Sequence, residues 1–356
     1  MNTSTLDIKI TKTSQSRINE LEQDNIFFGK KYGDHMLVVN YENGAWQQVE
    51  IKPYQNFSFS PATTFIHYGQ AIFEGIKAYT DKDGNPGVFR PHDNWKRFNK
   101  SAHRMDMPDV PEEIFMEGLR QLLDIDRAWV PNRENASLYI RPFMMATEEF
   151  IGVRPSEKYM FAIITSPAGP YYSKPMSIYI QDTYVRAFKG GTGNIKAAGN
   201  YGMSMYPTHQ AKNKGFNEIL WTDGIEHKYV QEIGTMNVFF KIGDTVITPD
   251  IEHDTILAGI SRDSVITLLR EKGIKVEERQ ISIDEIEAAY RAGELKEAFG
   301  TGTAASITMI ERLVFKDFEM TLSDPEKWEM VGWLKKELAD IRHCRIEDRH
   351  HWIFKI

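Results

Sequence analysis

Cysteine is almost absent from this chain of 356 residues: Cys344 stands alone. A single thiol excludes an intrachain disulfide, a zinc ribbon and a CxxC redox pair, and it fits a reducing compartment. Metal-ligand spacing is missing as well. The ten histidines include the adjacent pair His350-His351, whose side chains splay apart, and no HExxH. No metal site is therefore expected. No apolar run reaches the ~18 residues of a membrane span, so no membrane partner is expected. Basic tracts are lacking and the net charge is −7, which disfavours a nucleic-acid partner. Repeats and low-complexity tracts are absent too. From Met1 to Asp24 there is no apolar h-region and one arginine, Arg17. Neither a secretory signal nor a transit peptide is expected, and the cytoplasm is the expected location.

What is present is an ordinary soluble composition, with 41% apolar and 26% charged residues. The length suggests about two domains. In the first half, alternation and turn residues predict strands over 35–41 and 46–51 about the turn Glu42-Asn43-Gly44. Further strands are expected over 73–80, 87–90, 137–147 and 159–167. Helical spacing covers 93–105 and 112–129. A turn-rich break runs from Ala168-Gly169-Pro170 to Lys174-Pro175. Beyond it, strands are expected over 177–182, 218–222, 237–242, 246–249 and 276–281, and helices over 200–214, 261–272, 283–292 and 326–343. The fold class is α+β: a smaller domain over 1–168, a linker over 169–176 and a larger domain over 177–356. Clefts between domains are common ligand sites.

The most informative stretch is Gly190-Gly191-Thr192-Gly193-Asn194-Ile195-Lys196-Ala197-Ala198-Gly199-Asn200-Tyr201-Gly202, one lysine among five glycines. Glycines let backbone approach a ligand closely. A lysine held away from water can lose its proton and attack a carbonyl. Lys196 is thus a Schiff-base candidate. A phosphorylated aldehyde such as pyridoxal phosphate also needs a partner for its ring nitrogen and an anion site. Glu232, in Val230-Gln231-Glu232-Ile233-Gly234-Thr235-Met236-Asn237, could favour a protonated ring; a surface glutamate at a strand end is the alternative. Leu257-Ala258-Gly259-Ile260-Ser261-Arg262-Asp263 offers the free N–H groups of a helix start, or merely an N-cap serine. Phe299-Gly300-Thr301-Gly302-Thr303-Ala304-Ala305-Ser306 offers a second anion nest. Arg97 could add a fixed positive charge, or be a solvated helix arginine.

Gly300-x-Gly302-x-x-Ala305 nominally matches a dinucleotide fingerprint, which would make the chain a dehydrogenase. That motif needs a helix straight after the glycines. Ser306 to Phe315 instead contains Ile307, Thr308, Ile310, Val314 and Phe315, which prefer strands.

Together these segments resemble the branched-chain amino-acid aminotransferases of the fold-type IV pyridoxal-phosphate enzymes. The resemblance rests on Phe73-Glu74-Gly75-Ile76-Lys77-Ala78-Tyr79, Tyr139-Ile140-Arg141-Pro142, Gly193-Asn194-Ile195-Lys196 with Gly199-Asn200-Tyr201, Glu232-Ile233-Gly234-Thr235-Met236-Asn237 and Gly302-Thr303-Ala304-Ala305. It implies transamination of L-leucine, L-isoleucine and L-valine with 2-oxoglutarate, giving L-glutamate. It also implies pyridoxal 5′-phosphate in an interdomain cleft and a homodimer. Lys196 then links to the cofactor and shuttles the proton, Glu232 bonds the ring nitrogen and Tyr201 the phenolic oxygen. Arg97, the backbone of Ile260 and Ser261, and Thr303 hold the phosphate. Tyr139 and the N–H groups of Thr303 and Ala304 take the substrate carboxylate, and Arg141 the second carboxylate of glutamate. Phe73, Tyr171 and Tyr68 wall the apolar pocket, Tyr68 from either subunit. One departure concerns a CxxC that some animal members carry. Ala305 and Thr308 stand at those positions here, so thiol regulation there is not expected.

Overall fold

The computed structural model describes residues 6–22, 26–169 and 174–356. The chain divides into two compact units. One comprises Met1–Tyr171, Lys196–Gly199 and Asp340–Ile356, the other Tyr172–Ile195 and Asn200–Ala339.

In the first unit the period-two geometry of strands explains a run that does not alternate. Strand His35–Glu42 places Leu37 and Val39 in one apolar cluster and Met36 and Val38 in another. Both faces are covered, so the whole run is apolar. Its partner Tyr159–Ala168 behaves likewise: Phe161 and Ile163 join the first cluster, Ala162 the second. Helices Pro91–Arg104 and Glu112–Ile125 bury Phe98, Phe115, Leu119 and Leu122 in that first cluster. Phe98 and Phe115 sit 5.4 and 5.8 Å from Phe161, centroid to centroid.

The turn at Asn43-Gly44 carries positive φ at both residues, 54° and 77°, which is the geometry that tight hairpins favour. Two expected strands are interrupted. The segment 46–51 becomes Ala45–Trp46 and Val49–Pro53, and 73–80 becomes Ala71–Phe73 and Ile76–Thr80. The second break falls at Glu74-Gly75, where a Cβ on Gly75 would collide with the Tyr139 hydroxyl.

The second unit is built on another mixed sheet. Strand Met176–Ile180 runs parallel to both Glu218–Thr222 and Ser306–Phe315. Ser306–Phe315 pairs antiparallel with Leu295–Gly302. The segment after Gly302 is therefore a hairpin turn followed by a strand, and no helix stands there to meet a pyrophosphate. The helix expected over 200–214 is broken into Ala198–Gly202 and Met205–Asn213. At the break both the amide and the hydroxyl of Ser204 donate to the Tyr201 carbonyl, closing the first helix early. Helix Glu329–Arg342 buries Val331, Leu334, Leu338 and Ile341, as the three- and four-residue spacing predicts.

Two excursions into the first unit are not expressed by the expected division into 1–168 and 177–356. The Phe73 amide donates to the Lys196 carbonyl at 3.1 Å, and Ile72 bridges Ala197. At the C-terminus, strand Ile353–Lys355 pairs with Pro86–Phe89. Both are pairings between segments far apart in sequence, which local composition does not encode.

Lys77, on strand Ile76–Thr80, is buried, and burial together with the Arg342 charge pulls its pKa down to about 7. The cation is thus disfavoured in the folded state. Between about pH 7 and the unfolded pKa of 10.5 the unfolded chain binds more protons, so stability rises with pH across that window. Lys77→Met removes the penalty. Urea unfolding should find the variant more stable by roughly 4–5 kcal/mol at pH 6.5, with the difference shrinking towards pH 10. A difference independent of pH would contradict the shift.

Candidate active site

The first unit holds an amine, an aromatic ring and a guanidinium in one cluster. Lys196 is clamped through its backbone: its carbonyl accepts from Phe73 and its amide donates to Ser101 Oγ at 3.1 Å. Its Nζ stands 4.8 Å from the centroid of the Phe73 ring. Arg141 approaches the same ring, with its guanidinium carbon 4.6 Å from the centroid. Tyr139 and Arg141 lie two residues apart on strand Ser137–Ala146 and so share a face. Arg141 Nη2 donates to the Tyr139 hydroxyl at 3.0 Å. Arg141 Nε is buried without a partner, and among the described residues no carboxylate pairs with this guanidinium. A cation held against aromatic faces without a protein counter-ion is suited to a carboxylate brought by a ligand.

Glu74 adds a feature that the sequence reading quoted without assigning it a role. It is fully buried, and its oxygens accept from Arg97 Nε at 2.7 Å, Arg97 Nη2 at 2.9 Å and Asn94 Nδ2 at 2.7 Å. Burial pushes the Glu74 carboxyl up, but the charge and hydrogen bonds of Arg97, the Lys196 charge and Asn94 outweigh it. The pKa lies below the ordinary glutamate range. Arg97 is therefore no solvated helix arginine. It is oriented by a bidentate pair through two of its three nitrogens. The available signal was a lone carboxylate inside the apolar run Ile72-Phe73-Glu74-Gly75-Ile76. Tyr68 is exposed on the short helix Thr64–Tyr68, and its hydroxyl donates to the Ile151 carbonyl. Tyr171 lies outside the described residues.

The second unit holds the carboxylate and the anion-binding candidates. Glu232 is buried on strand Val230–Ile233. Its Oε1 accepts from the Leu257 amide at 2.8 Å and from Asn237 Nδ2 at 3.5 Å, and its Oε2 lies 3.5 Å from Arg186 Nη1. Glu232, Tyr201, Arg186, Thr235 and Leu257 line one recess. This placement removes the surface-glutamate alternative. Helix Ile260–Glu271 begins with Ile260 and Ser261, and the Ser261 hydroxyl donates to the Gly302 carbonyl at 3.2 Å. The helix start is thereby tied to the residue preceding Thr303 and Ala304. The two anion-binding candidates, separate in sequence, adjoin in space. Sequence reasoning missed Arg186, which carries no local motif.

A two-sheet α+β fold with a backbone-clamped lysine and a buried carboxylate defines a class, and comparison with known proteins says which. The chain belongs to the amino-transferase class IV family, whose model matches residues 71–313. Among its relatives, branched-chain-amino-acid aminotransferase 2 of Bacillus subtilis (strain 168) is 42% identical over 360 residues, spanning 100% of this chain and 98% of that protein. A probable branched-chain-amino-acid aminotransferase of Staphylococcus epidermidis is 45% identical, with 92% of each covered. Among solved structures, the branched-chain aminotransferase of Thermoproteus uzoniensis with norvaline shares the fold, with TM-score 0.74 and 23% identity over 90% of this chain and 99% of that one. The branched-chain amino acid aminotransferase of Thermobaculum terrenum in its PLP-form shares it too, with TM-score 0.71 and 22% identity over 92% and 99%.

Proposed function

We propose that this aminotransferase moves the amino group of L-leucine, L-isoleucine and L-valine to 2-oxoglutarate, yielding branched-chain 2-oxo acids and L-glutamate, with Lys196 as its catalytic residue. The cofactor is pyridoxal 5′-phosphate, which when bound supplies an electrophilic aldehyde and an electron sink. The residues present fit it: an amine at Lys196, a buried carboxylate at Glu232, and a helix start tied by Ser261 to the Thr303 turn.

The observation that carries the substrate reading is Arg141, a guanidinium with no carboxylate partner among the described residues, sharing the Phe73 ring with Lys196. A transaminase of this kind must accept an isobutyl-like group and a propionate in turn. Phe73 packs against the first, and Arg141 forms a charge-assisted pair with the second. Tyr139 and the N–H groups of Thr303 and Ala304 receive the α-carboxylate. Tyr201 would bond the cofactor's phenolic oxygen. The Ile260 and Ser261 amides, Thr303 and Arg97 would hold the phosphate, with Glu74 orienting the Arg97 fork. Lys196 removes the α-proton and returns it on the other side of the exchange. Discrimination among the three donors is weak, because one methylene is worth only about 1–3 kcal/mol in an apolar pocket.

No helix among the described residues is long and apolar enough to cross a membrane. We place the enzyme in the cytoplasm as a homodimer in which Tyr68 joins Phe73 in walling the side-chain pocket.

Two assays test this reading. Purified protein with 2-oxoglutarate should use L-leucine, L-isoleucine and L-valine and leave D-alanine untouched; D-alanine turnover would move it to another class. Arg141→Ala should lower kcat/KM for 2-oxoglutarate by about tenfold to a hundredfold, the ~1.5–3 kcal/mol of a hydrogen bond to a charged group. Leucine should lose much less. Equal losses for both substrates would contradict the dual pocket.

A further inference from the structure

We propose that Arg186 is a positioning residue for Glu232, holding that carboxylate ionised and aimed through a buried ion pair. The proposal rests on the reading of Glu232 as the partner of the cofactor's ring nitrogen.

Arg186 follows strand Met176–Ile180 and is only 8% exposed. Its guanidinium reaches three places at once. Nη2 donates to the Thr255 carbonyl, and Nη1 donates to the Gly193 carbonyl at 3.4 Å and lies 3.5 Å from Glu232 Oε2. Thr255 stands two residues before Leu257, whose amide holds the other Glu232 oxygen. Arg186 thus braces, through its own bonds, the segment that fixes Oε1, and presents its charge to Oε2.

The physical need is plain. A buried carboxylate drifts towards its neutral form, because burial disfavours charge, and a neighbouring cation reverses that drift. A neutral Glu232 would be a poor counter-ion for a protonated ring. The separation of 3.5 Å is that of an ion pair, longer than the ~2.7–2.9 Å of a charge-assisted hydrogen bond. The arginine sets charge and direction without forming a strong hydrogen bond to Oε2. Arg186 Nε is buried without a partner, so the guanidinium is not placed to saturate its own donors. Its position serves the carboxylate and the two flanking carbonyls.

The test measures cofactor affinity of the apoprotein against pH, by absorbance titration with pyridoxal phosphate, alongside the holoenzyme's visible spectrum. Arg186→Gln keeps an amide able to donate to the flanking carbonyls but removes the charge. The acid limb of the affinity profile is expected to move up by about one pH unit, as loss of an adjacent opposite charge demands. On the acid limb itself, below both midpoints, affinity at a fixed pH should fall about tenfold with it. Arg186→Lys, which restores charge without the fork, should bring the limb back. In a Glu232→Gln background no carboxylate titrates, so Arg186→Gln should add almost nothing. Equal losses in both backgrounds, or a limb that the lysine variant fails to restore, would overturn the proposal and leave Arg186 a loop brace. If Glu232→Gln itself left affinity and spectrum unchanged, the reading of Glu232 would fall, and this proposal with it.

Discussion

Replacing Lys196 by alanine is expected to abolish turnover and the visible absorption of the lysine–cofactor linkage while leaving the protein folded. The chemical loss is twofold. In the role proposed for it, the amine is the nucleophile that meets the cofactor aldehyde, and the same nitrogen is the base that takes the α-proton. Proton transfer by a positioned side chain alone is worth about 10²–10⁴-fold. Groups that act as a unit fail together, so the loss should exceed about 10³-fold. The fold should survive because the local structure is secured through the backbone. The amide donates to Ser101 Oγ and the carbonyl accepts from Phe73, and alanine keeps both. Single-turnover spectroscopy with L-leucine and a melting curve separate the two effects. Residual activity within tenfold of the parent, or a variant that unfolds, would contradict this account.

The second large effect is expected at Glu232. Glu232→Ala removes the proposed counter-ion of the ring nitrogen and leaves Arg186 buried beside a vacated carboxylate position. The catalytic part should be a loss of about 10²-fold or more, of the size expected when one preorganised electrostatic partner is deleted. The structural part should be about 3–5 kcal/mol, the usual cost of breaking a buried ion pair from one side. The Leu257 amide also loses its acceptor. Stopped-flow kinetics and urea unfolding on the same preparation should show both. A variant that loses activity at unchanged stability would detach Arg186 from Glu232. One that loses stability at unchanged kcat would take Glu232 out of the chemistry.

Much of the site was legible because its parts carry local signatures. Lys196 stands out as the one charge in a glycine-rich stretch. Tyr139 and Arg141 are two apart on a strand, so a common face follows from period two. Ser261 was readable as a helix start, and the residues after Gly302 as a turn leading to a strand. Whether the two anion-binding candidates were one site or two was not readable. It depends on the Ser261 hydroxyl reaching the Gly302 carbonyl across 41 residues of sequence. The Glu74–Arg97 pair was hidden for the same reason, with 23 residues between partners. Arg186 was harder still, since its meaning lies wholly in Glu232, Gly193 and Thr255. The break of the 200–214 helix at Ser204 also escaped, because apolar spacing continues through a stop that hydrogen bonding to Tyr201 imposes.

Lys77 is the instructive rival to Lys196. It is buried, with a pKa pulled down to about 7, and on titration alone it would serve as a nucleophile. Its surroundings argue otherwise: it is set on a strand interior with the Arg342 cation nearby and no glycine-rich segment about it. Borohydride reduction of the holoprotein followed by peptide mass spectrometry decides between them directly. The account predicts the phosphopyridoxyl mass on the peptide containing Lys196 and none elsewhere. The same mass on the Lys77 peptide, or an apoprotein that takes up no pyridoxal phosphate, would contradict it.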